Sequence, residues 1–164
     1  MGQPNISHIT DRLYISDAAA AYDAATLRKY NIRHILSILH HGPPIDVINN
    51  YITEHIHYLR FQLCDAPDAP ISEVFPDMIR FIEQSLEGEG NVLVHCGEGR
   101  SRSTTAVAAY LLHSCPTTFR SVDEVFEYIR SKRPATNPNA GFRAQLETFL
   151  QDLRSTAKGK IKVA

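Results

Sequence analysis

The stretch NVLVHCGEGRSRSTTAVAAYLL, residues 91–112, constrains the fold more than any other part of the chain. An apolar, β-branched run ends at His95 and Cys96. Two glycines and two arginines fall within the next six residues, and a run of alanine, valine and leucine follows. A strand without polar alternation is buried on both faces, so it needs helices above and below its sheet. The run after it has a helix composition and starts near Arg102. Other segments repeat the alternation. Ile9–Ser16 (ITDRLYIS) reads as a strand or strand pair, and Asp17–Tyr30 as helical with Asp17 as its cap. Ile32–Leu39 reads as a buried strand, which His40–Pro44 (HHGPP) breaks. His57–Leu63 is a further strand, followed by the loop Cys64–Pro70. Ser72 is placed to cap a helix bearing Phe75, Met78, Ile79, Ile82 and Leu86 at helical spacing. Ser121–Glu124 (SVDE) is a capping box that opens a helix with Val125, Phe126 and Ile129. Phe142, Leu146, Phe149 and Leu153 mark a last helix. The expected fold class is α/β: one domain over 1–154, with a mixed, mostly parallel sheet of about five strands and helices on both faces. The tail, 155–164, is expected to fray and be flexible.

The seam between strand and helix carries chemistry. A helix that begins near Arg102 presents free N–H groups and a partial positive charge. The loop Gly97, Glu98, Gly99, Arg100 and Ser101 can curl into a nest of N–H donors around a tetrahedral anion. Gly97 and Gly99 permit the close backbone approach. Arg102 adds a planar fork for two phosphoryl oxygens. Cys96 lies at the base of this cradle. The field that attracts an anion also favours a thiolate, which is a nucleophile toward phosphorus. The leaving oxygen then needs a proton. Asp65 and Asp68, in the loop after the His57–Leu63 strand, are the candidates to supply it and then to act as base for water.

A net charge of −1 over 164 residues gives no general attraction to nucleic acid or anionic membranes. No apolar stretch approaches the ~20 residues that span a bilayer. The start MGQPNISHIT has no secretory signal, and Ile6 stands where a myristoylation pattern wants Ser or Thr. Cys64, Cys96 and Cys115 are an odd set without a CxxC pair, which points to free thiols in a reducing compartment. His40-His41 and His55-x-His57 lack convergent metal-ligand spacing, so no metal is expected. The basic runs Arg130–Arg133 (RSKR) and KGKIK read as solvated faces. Asn137, Asn139 and Gly141 read as loop and helix-start chemistry.

The segment VHCGEGRSRS resembles the His-Cys-x5-Arg-Ser/Thr loop of cysteine-dependent protein tyrosine phosphatases. ITDRLYIS, YNIRHILSI, YLRFQLCDAPDAPISEVFPDMIRFIEQSL and RPATNPNAGFRAQLETF resemble the small dual-specificity branch, in its order and spacing. The resemblance runs from about Ile6 to Leu153. It implies that Cys96 forms a phosphocysteine and that Arg102 holds the phosphoryl group. It implies that the amides of Gly97 to Arg102 bind phosphoryl oxygens and that Ser103 donates to the departing thiolate. His95 would sit behind the loop and support the thiolate, and Asp65 matches the general acid. No cofactor is implied. The implied substrates are phosphotyrosine and phosphoserine/phosphothreonine proteins, kinases among them, met by a monomer in cytoplasm or nucleus. Glu98 and Arg100 depart from close relatives, which often carry Ala and a small or apolar residue there. Arg100 favours an alternative, a non-protein substrate such as a phosphoinositide, an RNA 5′ phosphate or a phosphoglucan. Cys64 raises the question of a protective disulfide with Cys96, against which a free thiol is the simpler reading.

Overall fold

In a computed structural model, which describes residues 2–161, five strands form one sheet. They are β1 (Ile6–Thr10), β2 (Leu13–Ser16), β3 (Ile32–Ile38), β4 (His57–Phe61) and β5 (Asn91–His95), in the order β1-β2-β5-β3-β4. The pair β1–β2 is antiparallel and every other pair is parallel. ITDRLYIS is therefore mostly a hairpin, turned at Asp11 with a φ of 45°. The central strand β5 is apolar throughout because both its faces are covered. Val92 and Val94 meet one core and Leu93 the other.

Helices α1 (Ala18–Tyr22), α2 (Ala24–Lys29) and α3 (Ile45–Thr53) cover one face. Helices α4 (Phe75–Glu87), α5 (Arg102–Ser114), α6 (Val122–Lys132) and α7 (Ala140–Ile161) cover the other. The expected stripe of α4 is core: Phe75, Met78, Ile79 and Ile82 are buried. The carboxyl ends of β2, β5, β3 and β4 all meet one edge of the sheet, and β5 sits where the strand order reverses. Open α/β sheets place ligands there.

Several local expectations are corrected. Asp17–Tyr30 is two helices. Asp17 accepts from the Ala20 amide at 2.9 Å and Asp23 from the Thr26 amide at 2.9 Å. A second aspartate that bonds its own downstream backbone restarts the helix rather than continuing it. Helix α3 is an addition to the expected elements: it starts directly behind Pro44, in the segment read only as a break after β3, and buries Val47 and Tyr51 while Ile45 and Ile52 face solvent. Ser72 does not cap α4. It lies in a 3-10 turn, Ile71–Val74, and its amide donates to Gln145 Oε1 at 3.0 Å. Helix α4 then starts at Phe75, with Pro76 in the first turn where no N–H is needed. Ser121 caps α6 through the Glu124 amide at 3.0 Å, while the Glu124 carboxylate reaches back to the Arg120 amide at 2.8 Å. The tail expected to fray from Ser155 is helical to Ile161, though its side chains from Arg154 to Lys160 are exposed. Residues 162–164 of that tail lie outside the described residues.

Candidate active site

The sheet stops at His95, and the chain then turns around the Cys96 side chain into α5. The direction of the loop backbone is fixed from outside. His95 Nδ1 lies 3.1 Å from the Cys96 carbonyl. The Ala18 amide donates to Gly97 O at 3.0 Å. Arg133 donates to Glu98 O from Nη2 at 3.3 Å and to Gly99 O from Nε at 2.6 Å. The Asn137 amide and Thr104 Oγ1 donate to Arg100 O, at 2.8 and 2.7 Å. The Thr105 amide and hydroxyl donate to Ser101 O, at 2.9 and 2.7 Å. Every carbonyl from Cys96 to Ser101 is thus engaged away from the thiol. A peptide whose carbonyl faces out turns its N–H in, and the Gly99 amide does donate to Cys96 Sγ at 3.2 Å.

Gly99 makes the turn possible. Its φ is +66°, and a Cβ there would meet Ser16 O at 2.5 Å and Arg133 Nη2 at 2.6 Å. At Gly97 a Cβ would lie 3.2 Å from Arg102 Nη2, so the guanidinium lies against the loop. Arg102 Nη1 donates to Leu63 O at 3.0 Å, and its buried Nε has no partner among the described residues. Ser103 Oγ lies 3.2 Å from Cys96 Sγ. Cys96 and Ser103 are both buried. Glu98 and Arg100 are exposed, with Arg100 Nη1 3.5 Å from Glu98 Oε2.

His95 is fully buried, with the Tyr22 ring edge-on to it at 5.9 Å between centroids. Burial pulls its imidazole down from 6.5 to about 4, against a smaller upward pull from its bond to Cys96 O. The ring is therefore neutral near pH 7, and what it gives the loop is a hydrogen bond to backbone, not a charge. Stability follows from the same shift. The unfolded chain takes up a proton near 6.5 that the folded ring refuses until about 4. Stability is thus complete above 6.5 and falls as the pH drops through that window, with His34 acting in the same direction. Thermal unfolding between pH 7.5 and 4.5 will show a melting point that is level at the upper end and declines below.

Asp65 is exposed in the loop after β4, and its Oδ1 accepts from Asn139 Nδ2 at 2.8 Å. The Asn139 amide in turn donates to Ser101 Oγ at 3.0 Å. Asp65 is tied to the cradle through one asparagine. Helix α7 steadies the rest of that loop. Gln145 Nε2 donates to Ala69 O at 2.9 Å, and Gly141 lies so close that a Cβ would fall 1.8 Å from Pro67 O. Asp68 is exposed and makes no side-chain hydrogen bond among the described residues. Cys64, Cys96 and Cys115 are free thiols, and Cys64 Sγ instead lies 3.3 Å from His40 Nδ1.

Two residues of the site were misread or only half read from sequence. Arg133, read as part of a solvated basic run, is 2 % exposed and clasps the loop. Burial lowers its guanidinium from the usual range, opposed by the charges of Asp17 and Cys96. Arg133 is the C-cap of α6, directly before Pro134, which stops the helix from continuing. Asn139 does start a helix, accepting from the Phe142 amide at 2.8 Å, but its other end holds Asp65. Among the described residues no cluster of His, Cys, Asp and Glu could hold a metal ion.

A family model described as the dual specificity phosphatase catalytic domain matches residues 13–152. Dual specificity protein phosphatase 15 of Mus musculus is 40% identical over 137 residues, which are 84% of this chain and 54% of that protein. Dual specificity protein phosphatase 1 of Arabidopsis thaliana is 34% identical over 151 residues, 90% of this chain and 70% of that one. The chain thus spans about half the length of the first of these relatives. Among solved structures, DUSP15 superposes with a TM-score of 0.79 at 35% identity, covering 94% of this chain and 95% of that one. A mouse putative dual specificity phosphatase, complexed with zinc tungstate, gives 0.83 at 27% identity, covering 95% and 92%.

Proposed function

The chain belongs to the dual specificity phosphatase family, and from that premise we propose that it hydrolyses phosphate monoesters of proteins through a phosphocysteine. The carrying observation is the Cys96 thiol held by the Gly99 amide and Ser103 hydroxyl inside a loop whose carbonyls all face outward. In the first step Cys96 Sγ attacks phosphorus while Arg102 and the loop amides take the equatorial oxygens. Asp65 protonates the departing oxygen. In the second step Asp65 takes a proton from water, and water displaces the thiolate, to which Ser103 donates.

The substrates are phosphotyrosine and phosphoserine/phosphothreonine proteins, kinases among them. Arg100, the residue that favours a non-protein substrate, is exposed beside Glu98, and the family's relatives act as protein phosphatases by name. A monomeric protein of cytoplasm or nucleus fits the free thiols and the two large apolar side chains left exposed among the described residues, Ile45 and Ile52. No helix among the described residues is long and apolar enough to cross a membrane.

The test is phosphate release from a Thr-x-Tyr peptide phosphorylated on both residues, beside a phosphoinositide panel. Release from both peptide positions, with little from the lipids, is expected. Release from the lipids alone would overturn the protein assignment. Asp65→Asn should slow a poor leaving group by about 10²-fold, the lower end for general acids, and flatten the basic limb of the pH–rate profile. Asp68→Asn should leave both unchanged. The opposite pattern would move the acid role to Asp68.

A further inference from the structure

The apolar stripe of α7 runs on past the body of the domain. Phe142 and Leu146 are core, but the side chains from Arg154 to Lys160 are exposed although the helix continues to Ile161. Leu150, Leu153, Ala157 and Lys160 are spaced three or four residues apart and so fall on one face of the helix. That face forms one wall of a cavity of about 750 Å³, and the end of α5 with the turn into α6 forms the other. Leu112, Phe119 and Leu150 in its lining are buried members of the main core. The groove is thus an opening onto the core, about 16 Å long from Phe149 to Lys160 at the rise of a helix.

The rim of this groove is cationic. Arg120, Arg154 and Lys160 all border it, and none of them has an ion-pair partner among the described residues. The Arg154 guanidinium is steadied by a bond to Arg120 O, and the Arg120 side chain is exposed. The carboxylate in the lining is Asp152. Glu83, beside His113, is taken up by Ser114 Oγ at 2.9 Å and by His113 Nδ1 at 3.4 Å. Three cations against one carboxylate give the groove a positive balance on a chain whose net charge is −1. Lys160 comes from the KGKIK run. A solvated basic face accounts for such a run by itself, but not for cations gathered around an opening onto the core.

We propose that this groove docks an acidic amphipathic helix of the phosphoprotein substrate, with its apolar side chains against Phe119, Phe149 and Leu153 and its carboxylates toward Arg120, Arg154 and Lys160. An apolar groove accepts a helix through side chains three and four residues apart, and fixed charges of one sign select a partner of the other. Helix α5 joins the two sites. Arg102 at its start serves the cradle, and Leu112, in the groove, lies about 15 Å further along the helix. A substrate held at the groove offers its phosphoryl group to Cys96 at a high local concentration, which lowers KM and leaves kcat alone. The inference rests on the phosphatase reading, but docking can be measured without turnover.

The first probe is a fluorescein-labelled helical peptide without phosphate, with leucine at helical spacing on one face and glutamate beside it. Its anisotropy should rise on binding the whole chain, and the same peptide with lysine for glutamate should bind about tenfold more weakly or worse. The second probe joins the acidic peptide to a phosphotyrosine through a Gly-Ser linker of about fifteen residues, whose mean reach of roughly 20 Å covers the span. Its KM should lie about tenfold below that of the phosphotyrosine and linker alone, a modest part of what tethering allows, with kcat unchanged. The gain should vanish in the double variant Arg120→Glu, Lys160→Glu. It should vanish separately in Ala157→Trp, which fills the groove from an exposed position. Both variants should turn over the plain substrate as wild type does. No binding of the acidic peptide, equal binding of the lysine version, or a gain that survives both variants would overturn the proposal. So would a dimer in sedimentation that Ala157→Trp dissolves, because the groove would then belong to a second copy of the chain. Docking by a chain that releases no phosphate would instead sink the phosphatase reading.

Discussion

Replacing Cys96 by serine will abolish turnover while leaving the cradle intact. The substitution changes one atom. A serine hydroxyl can still accept from the Gly99 amide and meet Ser103, which lie 3.2 Å from the sulfur on either side. What it cannot do is ionise. A thiol gives an appreciable thiolate near neutral pH and an alcohol does not, so the step that forms the covalent intermediate loses its nucleophile. Removal of a nucleophile that acts as a unit with its surroundings costs on the order of 10⁴–10⁶ in kcat. Phosphopeptide binding should persist, because the amides and Arg102 remain. Turnover within tenfold of wild type would refute covalent catalysis by Cys96. Simultaneous loss of binding would mean that the sulfur, not the backbone nest, holds the anion.

The next largest effect is expected from Arg102→Lys, in spite of the retained charge. The guanidinium does two things at once. Nη1 is committed to Leu63 O at 3.0 Å, just ahead of the loop that carries Asp65, while Nη2 lies along Gly97 and Nε is buried with no partner among the described residues. One planar group therefore braces the acid loop and presents further donors at the cradle. A lysine is a single flexible point charge and cannot do both. The loss should be about 10³-fold in kcat, in line with removing a transition-state donor, and larger than the rise in KM. Thermal unfolding should barely move. An enzyme that keeps most of its kcat with lysine would show that charge alone suffices.

Much of this site was legible because its parts are contiguous. Strand, cysteine, glycines, arginine and helix follow one another within 22 residues, and each has a local physical reason to be there. The α/β class was legible for a similar reason, since burial on both faces leaves a continuous apolar run. What escaped depends on closure over distance. Arg133 lies 34 residues beyond Gly99 and Asn139 lies 74 beyond Asp65. Nothing near either residue announces its partner. A charge run is normally solvated, and only the packing of α6 behind the loop turns one of its arginines inward. Helix α3 escaped for another reason: it begins directly behind Pro44, which ends a run of Gly and Pro that reads as a break.

The outward-facing carbonyls divide labour within a single loop. Main-chain atoms, clamped by Ala18, Arg133, Asn137 and Thr105, face the reacting group. The side chains of Glu98 and Arg100 face the solvent. Main-chain atoms are common to every residue type, so the chemistry is indifferent to what stands at 98 and 100. Those two positions can drift, acquiring or shedding charge, and alter which protein surfaces are welcome without any toll on the rate of bond breaking. Recognition and catalysis occupy the same few residues yet can evolve apart.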